Sequence, residues 1–205
     1  MSSPILLAYD FDGEGGGQSV SDKAISRELK KETLAWVHLD LAHPDTKPWL
    51  DKEISYLDPF VVDALLAEET RPRIAEIGNG ALIILRGVNL NENADPEDMV
   101  SIRLWIDPAR IISVQRRQLK AVPDIEERIK AGKGPKDAGQ FINMLISRLT
   151  ERMAPVLLEL DEETDNVEEK ILENPDTILR EQIIGIRKEA IILRRYMAPQ
   201  KDAIG

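Results

Sequence analysis

The chain has 205 residues, enough for one domain of ordinary size or one domain with an appendage. Its 42% apolar content supports a real core, while a formal net charge of -10 excludes a generic nucleic-acid binder, which needs a basic surface. There is no cysteine, which suits a reducing cytosol and excludes thiolate zinc sites and disulfide staples.

The first half reads as α/β. Residues 5–9 form a short apolar strand, ended by the turn-rich Asp12-Gly13-Glu14-Gly15-Gly16-Gly17. A second strand is predicted near 18–20 and a short helix near 22–29. Residues 34–41 alternate, with Ala35, Val37, Leu39 and Leu41 on one face and His38 and Asp40 on the other. Pro44 and Pro48 then suit a helix start, and Asp58-Pro59 supplies a cap and a first-turn proline for a helix to Leu66. Strands follow at 73–77, 81–88, 99–107 and 110–115. Gly78-Asn79-Gly80 makes a hairpin turn, because these residues tolerate positive φ, and Asp107-Pro108-Ala109 turns the later pair. A helix over 122–131 stops at Gly132, and Gly132-Lys133-Gly134-Pro135 is the best internal boundary.

Beyond Pro135 the chain reads as long helix, with Phe141, Leu145, Leu149, Met153, Val156 and Leu160 spaced by three or four. Asn174-Pro175 interrupts it as an N-cap and first-turn proline. The next helix repeats Leu179, Ile183, Ile186, Ala190, Leu193 and Met197. So short a break predicts an antiparallel hairpin. Ile184, Ile191 and Ile192 lie outside that seam and imply a further covering helix or subunit. No basic patch followed by an apolar run opens the chain, so no secretory signal is expected, and no stretch approaches the ~20 apolar residues of a membrane helix.

Several constellations compete for a function. Asp10 and Asp12 at a strand end suggest a haloacid-dehalogenase-type phosphotransferase, but Glu14 stands where Thr or Val belongs and no later partner set completes it. The same residues mimic an EF-hand start, yet Ser21 occupies the position of the bidentate Glu. His38 and Asp40, with His43 near, could hold zinc; the plainer reading is a strand edge. Glu159, Glu162, Glu163, Asp165, Glu168 and Glu169 make an acidic helical tip, with i, i+3 and i, i+4 carboxylates on one side whose repulsion a cation would relieve. The plainer reading there is a solvated helix face. No catalytic residue is assigned, and the chain reads as a non-enzyme.

One resemblance organises these pieces. Glu69-Thr70-Arg71-Pro72-Arg73, running into the Gly-Asn-Gly hairpin, resembles the Arg-Pro-Arg segment of CorA-type divalent-cation transporters. Ile112-Ser113-Val114-Gln115 is similar to their last sheet strand. Leu193-Arg194-Arg195-Tyr196-Met197-Ala198-Pro199-Gln200-Lys201-Asp202-Ala203 resembles the turn into their stalk helix, in wording typical of the zinc-transport (ZntB-like) branch.

The resemblance implies an α/β (α+β) fold: a mixed, largely antiparallel sheet flanked by helices, then a long antiparallel helical hairpin. Expected units are 1–131 for the α/β domain, 135–198 for the hairpin and 199–205 for the start of a stalk helix, with the membrane region outside this chain. It implies the cytoplasmic funnel of a homopentamer at the inner face of the cell membrane, gathering divalent cations, zinc or magnesium, as transported or regulatory ligands with no required cofactor. The partners implied are other copies of the chain and the membrane, through later helices, and no nucleic acid. This chain alone is expected to be monomeric or weakly self-associating. The competing reading is a cytosolic helical-hairpin interaction module without transport.

Overall fold

The computed structural model describes residues 3–68, 70–173 and 177–205. In chain order come β1 (Ile5–Phe11), β2 (Gly17–Ser19), α1 (Asp22–Glu28), β3 (Ala35–Asp40), α2 (Thr46–Glu53), α3 (Pro59–Leu66), β4 (Arg73–Ile77), β5 (Gly80–Gly87), β6 (Val100–Ile106), β7 (Arg110–Gln115), α4 (Ala121–Lys130), α5 (Ala138–Glu173) and α6 (Thr177–Ile204). The strands form one sheet in the order β2-β1-β3-β7-β6-β5-β4. Every neighbouring pair is antiparallel except β3 with β7. The expected fold class is therefore found, mixed sheet and long helices together.

Local chemistry explains most boundaries. Asp58 caps α3, accepting from the Phe60 N–H at 2.8 Å with Pro59 in the first turn. Gly78 at φ 62 turns β4 into β5, and Gly132 at φ 68 closes α4; both angles disfavour any residue with a Cβ. Asp12 accepts from the N–H groups of Glu14 and Gly16 at 2.7 and 2.9 Å, which makes its segment a self-bonded turn. Those same backbone hydrogen bonds hold its carboxyl below the usual range.

Both faces of the sheet are covered. On one, Trp36, Leu85 and Leu104 meet Ile125 of α4 and Phe141, Leu145 and Leu149 of α5. On the other, Val37, Leu39 and Val114 meet Ile25 of α1, Leu50 of α2 and Leu65 of α3. This corrects the expected one-sided pattern at 34–41. β3 lies between β1 and β7 and is no edge, so Trp36 and His38 are as buried as Val37 and Leu39. Alternation marks a half-wet strand, and a central strand between two helix layers need not show it.

The hairpin departs from the sheet partway along. α5 docks through Phe141, whose ring stands edge-on to Trp36 at 4.9 Å, and through Leu145 and Leu149. Farther on it meets α6 around Met153, Val156, Leu160, Leu193 and Met197. The predicted break at Asn174-Pro175 lies outside the described residues. α6 is one helix through Pro199 to Ile204, so the separate helix expected to start at Pro199 is not found. Proline removes one helical hydrogen bond there, but the neighbouring Gln200 anchors the segment. Its Oε1 accepts from the Arg86 N–H at 2.6 Å and its Nε2 donates to the Arg86 carbonyl at 3.0 Å. β4 begins at Arg73, opposite Ile84, and leaves Arg86 beyond its reach. Gln200 therefore takes the place of the missing strand residue.

Candidate functional site

The best-supported site lies where α5, α6 and the loop before β6 converge. Glu159 and Glu163 of α5, Glu189 of α6, and Asp95 and Glu97 of the 89–98 loop line a pocket of about 180 Å³. Val156, Leu160 and Leu193 line it as well, and they belong to or pack against the small cluster joining the helices to Val88 and Met99. The carboxylates are thus placed by apolar packing: the same side-chain seam that closes the hairpin fixes the level at which Glu163 faces Glu189.

Glu189 is half-buried, as is Glu97, and the Glu189 carboxyl is pushed above the usual carboxylate range. Burial is the chief cause, followed by the charges of Glu97, Glu163, Asp95 and Glu159. Five acids with one raised titration form a concentrated negative potential. Among the described residues, no three His, Asp or Glu side chains converge closely enough to ligate an ion directly. The arrangement suits a cation that keeps its water shell and is held by field, as hard divalent ions tolerate.

Two of the six predicted tip residues, Glu159 and Glu163, enter this pocket. Glu162, Asp165, Glu168 and Glu169 stay exposed along the rest of α5 and are not drawn into it. Asp95, Glu97 and Glu189 were not singled out from sequence. A signal existed for Glu189, the one acid in the basic run from Arg187 to Arg195. Its meeting with Glu163 depends on how α5 and α6 pack, which the sequence pattern does not show.

His38 and Asp40 occupy one strand face as expected, but among the described residues no ligand set gathers round them. His38 is 1% exposed, with Nδ1 2.7 Å from the Ser113 Oγ. Burial pulls its imidazole down to about 4, against smaller raising effects of Gln115 and Asp40. Asp40 accepts from the Ala42 N–H at 2.8 Å and so serves the turn after β3. His43 accepts at Nδ1 from the Asp45 N–H at 3.2 Å. Among the described residues, no helix is long and apolar enough to cross a membrane.

Comparison with known proteins shows the family of the chain. The family model described as "CorA-like Mg2+ transporter protein" matches residues 31–205. The chain is 39% identical over 204 residues to the divalent cation transporter CmaX of Pseudomonas aeruginosa, covering 97% of this chain and 60% of that protein. It is 34% identical over 200 residues to the zinc transport protein ZntB of Yersinia enterocolitica, covering 98% and 60%. The crystal structure of the ZntB cytoplasmic domain from Vibrio parahaemolyticus superimposes with a TM-score of 0.84 at 28% identity, covering 99% of this chain and 78% of that one. The chain spans about three fifths of the length of the curated relatives it matches. With the family model covering most of its length and both relatives above 30% identity, this chain belongs to the CorA-like Mg2+ transporter family.

Proposed function

We propose that this chain is the cytoplasmic, cation-gathering part of a homopentameric divalent-cation transporter, with zinc as its cargo and magnesium as the alternative ion. Translocation belongs to segments outside these residues. The observation that carries the reading is the pocket of Asp95, Glu97, Glu159, Glu163 and Glu189, set in a family whose named members move divalent cations. An ion arriving in its water shell neutralises mutually repelling carboxylates and draws α5, α6 and the 89–98 loop together. Occupancy then biases the hairpin toward one of two arrangements, a population shift without a chemical step. Glu162, Asp165, Glu168 and Glu169 extend the attracting field along α5, and the proposal assigns no ion to buried His38.

Calorimetry with zinc and with magnesium on the 205-residue chain tests the pocket. Glu163→Gln combined with Glu189→Gln should weaken binding about ten-fold, because two of the five attracting carboxylates are lost. Because Glu189 holds its proton to higher pH than an ordinary carboxylate, the ion must displace that proton, and binding should weaken as pH falls through the Glu189 titration. Equal affinity in the wild type and the double variant would remove the pocket from the mechanism.

The exposed apolar side chains on the hairpin, Leu158, Ile184 and Ile191 among them, support assembly with other copies. Light scattering should find this chain monomeric or weakly associated and a chain of the relatives' full length pentameric. Any other subunit number for the longer chain contradicts the pentamer.

A further inference from the structure

A second pocket, of about 440 Å³, opens on a neighbouring flank of α6 where the end of β5 and the start of β6 meet the 70–71 segment. Its charge is the reverse of the first. Among the described residues, Arg71, Arg86, Arg117 and Arg195 line it against only Glu97 and Asp98, in a chain whose net charge is -10. Asp98 is already engaged by Arg117 at 2.9 Å.

Arg86 is fixed from three sides. It donates through Nη1 to the Met99 carbonyl at 2.7 Å and through Nη2 to the Thr70 carbonyl at 2.9 Å, and its guanidinium lies 4.0 Å over the Tyr196 ring. Its hydrogen-bond partners are main-chain carbonyls, so its full positive charge has no ion pair among the described residues. Nearby Arg103 is 2% exposed and donates through Nη2 to the Glu68 carbonyl at 3.3 Å, while its Nε and Nη1 have no hydrogen-bond partner among the described residues. Burial foremost, then the charges of Arg86 and Arg116, lowers its titration to about 10. Arg86 is half-buried and lines the pocket, while buried Arg103 lies behind the lining; cations withdrawn from water without a counter-ion are costly, and an anion held in the pocket offsets that cost.

We propose that this pocket binds a phosphate group, free or borne on a lipid headgroup, through Arg71, Arg117 and Arg195 gathered round the pre-fixed Arg86. Guanidinium forks match phosphate oxygens two at a time, and a ring of them supplies both charge and orientation. The pocket is roomier than a bare phosphate needs, which leaves space for the rest of an ester. Because Arg195 and Tyr196 belong to α6 and Arg86 to β5, the ligand fastens the hairpin to the sheet. This site takes the opposite charge from the cation pocket, and its test is independent of that reading.

Inorganic phosphate is titrated calorimetrically into the 205-residue chain at constant ionic strength, and vesicles of phosphatidylglycerol or phosphatidylcholine are co-sedimented with it. Wild type should show one saturable phosphate site, or retention on phosphatidylglycerol alone. Arg71→Ala with Arg195→Ala should weaken that response at least ten-fold, while Arg180→Ala, on the exposed hairpin, leaves it intact. Both pocket arginines are exposed, so an unchanged circular dichroism spectrum checks that the variant folds. A calorimetric signal identifies a free phosphate compound as ligand, and vesicle retention alone identifies a headgroup. No saturable response in either arm, or one equal in wild type and double variant, overturns the proposal.

Discussion

Gln200→Ala should lower the unfolding free energy by about 2–3 kcal/mol, because it strips partners from both an N–H and a carbonyl at Arg86. Gln200 is 7% exposed, so water replaces the amide poorly. The damage should be local as well as global: the Arg86 amide proton should exchange faster with solvent, because α6 can lift from the end of β5 without disturbing Phe141 and its neighbours. Gln200→Glu separates the two contacts. A carboxylate still accepts from the Arg86 N–H but sets its other oxygen against the Arg86 carbonyl. That repulsion raises the new group's folded titration above its unfolded one, so the variant should regain stability as the pH falls and the group takes a proton. Urea denaturation of the three proteins at two pH values decides the matter. If alanine costs under 0.5 kcal/mol by that measure, the clamp is ornamental.

Acid should destabilise the protein through His38 by up to about 3 kcal/mol. The imidazole titrates near 6.5 when unfolded and at about 4 when folded, because burial disfavours its charged form. Below 6.5 the unfolded chain takes up a proton that the folded chain refuses, so stability falls from there down to about 4 and then levels off. Above 6.5 the group contributes no pH dependence. Carboxylates titrate in the same range, so the informative quantity is the difference between wild type and His38→Gln. The variant should be less stable at pH 7, having lost the contact with Ser113, yet lose less on acidification. Parallel stability curves for the two would show that His38 is not held neutral by its surroundings.

These two residues also mark how far the sequence could be read. His38 looked like half of a metal site because it carries metal-ligating nitrogen and shares a strand face with Asp40. What the strand pattern could not convey is that α5 lies over that face, 103 positions further along by Phe141. Burial turns a ligand candidate into a core residue bonded to Ser113. The reverse happened at Glu189, which looked like an ordinary exception in a basic run until α6 lay against α5 and the 89–98 loop. Its raised titration comes first from burial and then from four acids on other segments, none nearer than 26 positions in sequence. Pro199 misled for a local reason: a proline suits a helix start, and nothing in its neighbours announces that Gln200 will hold the helix to a strand edge.

The sequence by itself determined the elements and the family. Strands 73–77 and 110–115 begin and end where the apolar runs and turn residues place them, Asp58 caps its helix as its position before Pro59 requires, and the long helices follow from a spacing of three and four. These features depend on neighbours within a few residues, so they can be read in one dimension. Tertiary structure alone decided which acids share a pocket, which guanidiniums have no counter-ion among the described residues, and how α6 is fastened to the sheet. Charge acts through space and burial is made by distant segments, so only packing could bring Glu163 to Glu189 or leave Arg86 facing Tyr196.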